Sequence, residues 1–262
     1  MKLEFLGTGA ADFDISKRDD YKEFRRFSSV LINDDLLIDP GPHIFDYVEK
    51  SGQASLLDNV KYIIVTHSHG DHFNEDSVKK LFDISPRITL YGDPILKERL
   101  VAKYAELENI RFESPEMFKS LAIGGYDITP LYGNHTLVPF EDVTRHYYIV
   151  ERESGKRLFY GVDSGWLTAN EWAFLKKKKC HAMVFELTIG EAWADDRIFS
   201  HTGIPMLKIM LDTVRHQMAI ESGGRIYTTH MARTLHHDHA TLIEQLRPLN
   251  VTPAYDGMKI EI

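Results

Sequence analysis

Between His67 and His72 the chain carries four side chains that bind divalent metals, namely His67, His69, Asp71 and His72. A neutral imidazole offers a nitrogen lone pair and a carboxylate a charged oxygen, a mixture that suits Zn, Mn or Fe. Two imidazoles two residues apart can face one ion from an extended loop, and the adjacent pair Asp71 and His72, one turn further on, can face a second. His135, Asp163 and His230 lie far along the chain, yet each follows an apolar run that reads as a strand. The loops that leave the strand ends of an α/β sheet form a ligand-binding rim, so four strands deliver seven side chains to one region. A carboxylate such as Asp163 can bridge two ions. About three protein ligands per ion leave a position open for water, and a single zinc can bring bound water to a pKa of about 7.

The elements that must hold these residues can be read from periodicity and punctuation. Strands are expected over residues 2–6, 29–32, 36–38, 60–65, 88–91, 126–131, 146–151, 157–162, 182–186 and 224–228. Helices are expected over 44–50, 74–83, 94–107, 169–178, 205–216 and 239–246. Asn33-Asp34-Asp35 is a hairpin signal, and Asp39-Pro40-Gly41-Pro42 ends the strand before it. The charged stretch from Asp12 to Arg26 is expected on the surface. Gly7-Thr8-Gly9 lacks the spacing of a dinucleotide loop or a P-loop and is expected to be a turn that supports the metal rim. No Pro/Ser/Gly-rich linker divides the chain, so residues 1–262 read as one α/β domain.

Composition sets outer limits. The chain has 262 residues, 43% of them hydrophobic, enough to bury a sizeable core. A formal charge of -8 argues against a surface that is one continuous nucleic-acid footprint, leaving a local basic patch open. Cys180 is the only cysteine, so neither an internal disulfide nor a cysteine zinc cluster can form. No apolar run approaches the roughly 18 residues of a membrane span, and the N-terminus lacks the order of a signal peptide. A cytoplasmic location without membrane partners is expected, and a homodimer is left open.

Taken with Gly7-Thr8-Gly9, residues 37–41, Tyr160-Gly161-Val162-Asp163-Ser164 and Thr229-His230, the HxHxDH run resembles the signature of the metallo-β-lactamase fold hydrolases over nearly the whole chain. The resemblance implies an αββα four-layer sandwich of two similar halves with two divalent ions at one edge. It places His67, His69 and His135 on the first ion, Asp71, His72 and His230 on the second, and Asp163 between them. Phe199-Ser200-His201-Thr202-Gly203, preceded by Val184-Phe185-Glu186, resembles the His-Ser/Thr motif of the tRNase Z and PhnP-type phosphodiesterase branches. There the histidine sits near the scissile phosphate. The chain departs from tRNase Z in lacking a long flexible arm, and from some PhnP-type proteins in lacking cysteines for an additional zinc.

The implied activity is hydrolysis of a small cyclic or nucleotide-like phosphodiester by a metal-bridging hydroxide, with His201 as general acid and Asp71 as a proton acceptor that also binds metal. Thr136 and Arg233 are candidate phosphate contacts, and a nucleic-acid substrate such as an RNA end is left open without being favoured. The same metal site could serve a lactonase or thioester hydrolase, or hold two irons in a redox protein. Other features have plainer readings. Asp163 and His201 each precede a helical run and could act as caps. His236, His237, Asp238 and His239 read as a solvated helix start, and Lys176 to Lys179 as a solvated helix end. Trp166, Trp172 and Trp193 could line a pocket or pack the core.

Overall fold

The computed structural model describes residues 1–135, 142–191 and 196–262. Its first half runs β1 (Lys2–Gly7), β2 (Ser29–Ile32), β3 (Leu36–Ile38), α1 (Ile44–Ser51), β4 (Tyr62–Ile64), α2 (Glu75–Ile84), β5 (Thr89–Tyr91), α3 (Pro94–Lys103) and β6 (Arg111–Glu113). The second runs β7 (Leu121–Ile123), β8 (Tyr126–Tyr132), β9 (Arg145–Glu151), β10 (Arg157–Gly161), α4 (Ala169–Leu175), β11 (Cys180–Glu186), α5 (Ile204–His216), β12 (Ile220–Thr229), α6 (His239–Leu246), β13 (Val251–Pro253) and β14 (Lys259–Glu261). Two seven-stranded sheets result, in the orders β14-β1-β2-β3-β4-β5-β6 and β13-β12-β11-β10-β9-β8-β7. The last strand thus crosses back to the edge of the first sheet.

Alternation along the strands builds three apolar layers from these two sheets. In β2, Val30 and Ile32 face a layer between the sheets, while Leu31 faces the other way. The central layer takes Phe5 and Ile38 from the first sheet and Tyr147, Tyr160 and Val184 from the second. Leu31, Leu37 and Ile63 pack outward under α1, α2 and α3 through Ile44, Leu81 and Leu96. Met183 and Phe185 pack outward under α5 and α6 through Leu207, Leu211 and Leu242. Helix, sheet, sheet, helix is the expected αββα sandwich. No helix among the described residues is long and apolar enough to cross a membrane.

Several local expectations need correction. Helix α3 ends at Lys103, followed by a separate 3-10 turn over Ala105–Leu107. Helix α4 stops at Leu175 with Lys176 as its C-cap, so the exposed lysine end is only one residue of the helix: Lys177 and Lys179 turn with positive φ beyond it, and the Lys178 ammonium lies 4.3 Å from the Phe174 ring centre. Phe13 and Arg25, within the stretch expected on the surface, are buried. The turn after β1 does support the rim: Ala10 N donates to Met231 O and Met231 N to Thr8 O, beside His230. Trp166 is partly exposed, and Trp193 lies outside the described residues.

The first metal-rim loop rests on the turn after β3. Asp39 adopts φ +56°, and the chain then passes so close to the HxHxDH loop that a Cβ on Gly41 would lie 2.1 Å from Asp71 O. Backbone cannot yield there as a flexible side chain could. Gly41→Ala is therefore expected to destabilise the fold by about 2 kcal/mol or more and to lower metal uptake with it. Thermal melts with and without added zinc check this, and an unchanged melting temperature would remove the close approach as a constraint.

Candidate metal centre

The residues converge because they follow strand ends on one edge of the sandwich. His67, His69, Asp71 and His72 lie in the loop after β4, His135 follows β8, Asp163 follows β10, His201 precedes α5, and His230 follows β12. Asp163 and His230 hold φ values of +59° and +58°, a conformation few residues with side chains adopt. Such strain persists where surrounding structure fixes it, commonly at functional sites.

Two ligand sets emerge. Ligand atoms of His67, His69, His135 and Asp163 lie within 4.8 Å of one another, as do those of Asp71, His72, Asp163 and His230. Asp163 Oδ2 lies 3.2 Å from His67 Nε2, 3.3 Å from His72 Nε2 and 3.4 Å from His135 Nε2. His69 Nδ1 is 3.2 Å from His135 Nε2, and Asp71 Oδ2 is 3.3 Å from both His72 Nε2 and His230 Nε2. Ligands about 2.1 Å from a tetrahedral ion stand about 3.4 Å apart, so these spacings fit coordination edges. His67 Nε2 and Asp163 Oδ1 are buried and make no hydrogen bond. Buried polar atoms without partners are costly, and two divalent ions would satisfy them.

Neighbouring groups aim the rings. His72 Nδ1 lies 2.8 Å from Asp39 Oδ2, and Asp39 also accepts hydrogen bonds from Thr66 N and Thr66 Oγ1. Thr66 Oγ1 lies 3.0 Å from His67 Nδ1, Ser200 O lies 3.1 Å from His135 Nδ1, and Thr188 Oγ1 lies 2.8 Å from His230 Nδ1. Each contact engages Nδ1 and leaves Nε2 pointing into the site, the usual way a ligating histidine is oriented. Burial pushes His67 down to about 3, which keeps its imidazole neutral. For Asp71, burial would raise the carboxyl, but His72 and His230 outweigh it and hold it well below its ordinary value.

His201 stands beside both sets. Burial would lower its pKa, but Asp163 and then Glu186 outweigh it and push it up to about 11. Its Nδ1 is 2.9 Å from Asp163 Oδ1 without hydrogen-bond alignment, so charge rather than geometry holds that pair. Glu186 is held by the Thr188 and Thr202 backbone N–H groups and by the Thr188 hydroxyl. With Glu186 and His230, His201 also forms a third group of ligand atoms. A cavity of about 250 Å³ opens onto this region, lined by His69, His135, Asp163, Arg197, His201 and His230 among others.

Other expectations fare differently. Thr136 lies outside the described residues. Arg233 does not line the metal cavity; its Nε donates to Asp12 O and its guanidinium lies 4.9 Å from the Tyr21 ring centre, beside a neighbouring cavity. The 236–239 segment is only partly solvated: Asp238 caps α6 through Thr241 N, but His236 Nε2 is bonded to Leu187 O and His239 Nδ1 lies 2.9 Å from Arg25 Nη2. Among the groups that aim the site, Asp39, Thr66 and Thr188 carried no chemical signal in sequence. Their role depends on distances between separate strand ends, although the turn at Asp39 was visible.

Residues 35–231 match the family model described as the beta-lactamase superfamily domain. The chain belongs to that superfamily. No curated protein matches it by sequence. Among solved structures it resembles a diphosphatase from the PhnP family, at 17% identity and a TM-score of 0.72, covering 100% of this chain and 97% of that one. Human tRNase Z, short form, matches at 20% identity and a TM-score of 0.71, covering 100% and 99%. The metallo-beta-lactamase fold protein YhfI from Bacillus subtilis matches at 14% identity and a TM-score of 0.71, again covering 100% and 99%. At these identities the likeness establishes the fold.

Asp39→Asn leaves every candidate ligand in place while weakening the carboxylate that orients His72. Zinc affinity is expected to fall about 10- to 100-fold, read by competition with a chelating dye, with the apo melting curve recorded alongside. Affinity equal to wild type would show that Asp39 serves the turn alone.

Proposed function

We propose that this chain is a hydrolase dependent on two divalent ions, Zn or Mn, that cleaves a small cyclic or nucleotide-like phosphodiester, with His201 as the general acid. The carrying observation is that His201 lines the same cavity as members of both ligand sets, His69 and His135 of one and Asp71 and His230 of the other. The superfamily membership, and the likeness to a PhnP-family diphosphatase and to tRNase Z, support the same reading.

Two ions at these ligands would acidify a water and neutralise charge on the phosphoryl oxygens. His67, His69 and His135 would hold one ion and Asp71, His72 and His230 the other, with Asp163 shared. Asp39, Thr66, Thr188 and the Ser200 carbonyl keep the rings aimed, so little reorganisation is needed when substrate arrives. Asp71, in the wall of the cavity, is the candidate proton acceptor as well as a metal ligand. Cleavage of a diester also requires a proton for the departing alkoxide. His201 can supply it: Glu186, fixed by three hydrogen bonds, supports its charged form even when Asp163 is engaged by metal.

The general-acid role separates leaving groups. His201→Ala is expected to keep its metal content yet hydrolyse alkyl phosphodiesters about 100-fold or more slowly, with a much smaller loss on bis(p-nitrophenyl) phosphate, whose phenolate leaves unprotonated. An equal loss on both would make His201 a structural or metal-binding residue. Turnover of lactones or thioesters with no diester cleavage would move the reading to acyl hydrolysis.

Asp163→Ala is expected to lose metal and activity together, with bound metal falling below one ion per chain by elemental analysis. Retention of both ions would remove Asp163 as the shared ligand.

A further inference from the structure

A second cavity, of about 340 Å³, adjoins the metal cavity, and the two share Ala232 in their walls. Its size suits one ring system of a small ligand. Phe13 and Met231, both buried, give it an apolar floor. Over one side lies Arg233, whose guanidinium rests 4.9 Å from the Tyr21 ring centre, while Tyr21 lies parallel to Phe24 within 2°. Asp12 fixes this arrangement by accepting from Arg233 N at 2.8 Å and, through its carbonyl, from Arg233 Nε at 3.1 Å. Arg233 is exposed and makes no ion pair among the described residues. It is a flat cation, bonded through Nε and backed by an aromatic ring, in the wall of the cavity.

The charges around the cavity distinguish ligands. Lys22, Arg25 and Arg233 are matched by Asp20, Glu23 and Asp238, so a second phosphate would meet as many carboxylates as cations. Lys22 is already paired with Asp238 at 2.7 Å, and Glu23 accepts from His239 N at 2.8 Å. A neutral ring with both donors and acceptors on its edge suits such a lining, and a guanidinium plane is a stacking surface for bases.

We propose that this cavity receives the nucleoside of the substrate, its base stacked on Arg233, while the phosphate lies at the metal centre. The placement of the phosphate rests on the phosphodiesterase reading; the base site is tested without turnover. With zinc-loaded protein, calorimetry compares adenosine 5′-monophosphate with ribose 5-phosphate, which lacks only the base. The nucleotide is expected to bind about ten-fold or more tightly, the scale of one stacked base. That preference disappears in Arg233→Ala and also in Arg233→Lys, which keeps the charge but loses the plane; Tyr21→Leu, which removes the backing ring, reduces it.

Equal binding of the two phosphates by the wild type, or an intact preference in Arg233→Lys, overturns the proposal. Loss of the preference while diesters are still cleaved sinks the base site alone. A preference present without any diester cleavage supports the base site and sinks the phosphodiesterase reading. A stem-loop RNA that displaces the nucleotide at lower concentration assigns the nucleoside to an RNA end, and failure to displace it assigns the nucleoside to a small nucleotide.

Discussion

One carboxylate organises the site: Asp163 Oδ2 lies within 3.7 Å of Nε2 atoms from His67, His72, His135 and His230. Four imidazole edges face one buried oxygen, and within this cluster His67 Nε2 and Asp163 Oδ1 are buried without a hydrogen-bond partner, which is costly. Divalent ions held by these residues would offset that cost. The positive φ values of Asp163 and His230, and of Asp39 behind them, are local strain that the two sheets hold in place.

The sandwich supplies this rigidity because each candidate ligand follows a strand that packs into it. In β10 and β11 nearly every side chain is buried, and the parallel pair runs in register from Leu158 with Ala182 to Gly161 with Phe185. Asp163 and Glu186 are thus delivered side by side, and His201 is held between their carboxylates. Function and stability meet here. The same depth of packing that fixes the ligands also removes the water that would otherwise soften their charges.

Much of this was legible in the sequence, and the omissions follow a pattern. The ten expected strands all form, and the further four among the described residues, β6, β7, β13 and β14, are the edge strands of the two sheets. Each spans only three residues and is paired on one side, so it needs no long apolar run and leaves little periodicity to read. The ligand set was readable because ligation demands particular side chains. Asp39, Thr66 and Thr188 were not, since a carboxylate or hydroxyl in a turn has many ordinary uses until a distance assigns one. Arg233 shows the converse: proximity to His230 in sequence suggests a phosphate contact, but Asp12 binds its backbone N–H and its Nε, and the side chain lies against Tyr21.

The most direct test is elemental analysis of purified protein joined to turnover of bis(p-nitrophenyl) phosphate after stripping and reconstitution with Zn or Mn. The account predicts close to two ions per chain, with diester cleavage that rises as the second ion binds. Full occupancy by two ions without cleavage of any phosphodiester would contradict the assigned chemistry, and a well-folded protein that binds none would contradict the metal centre itself.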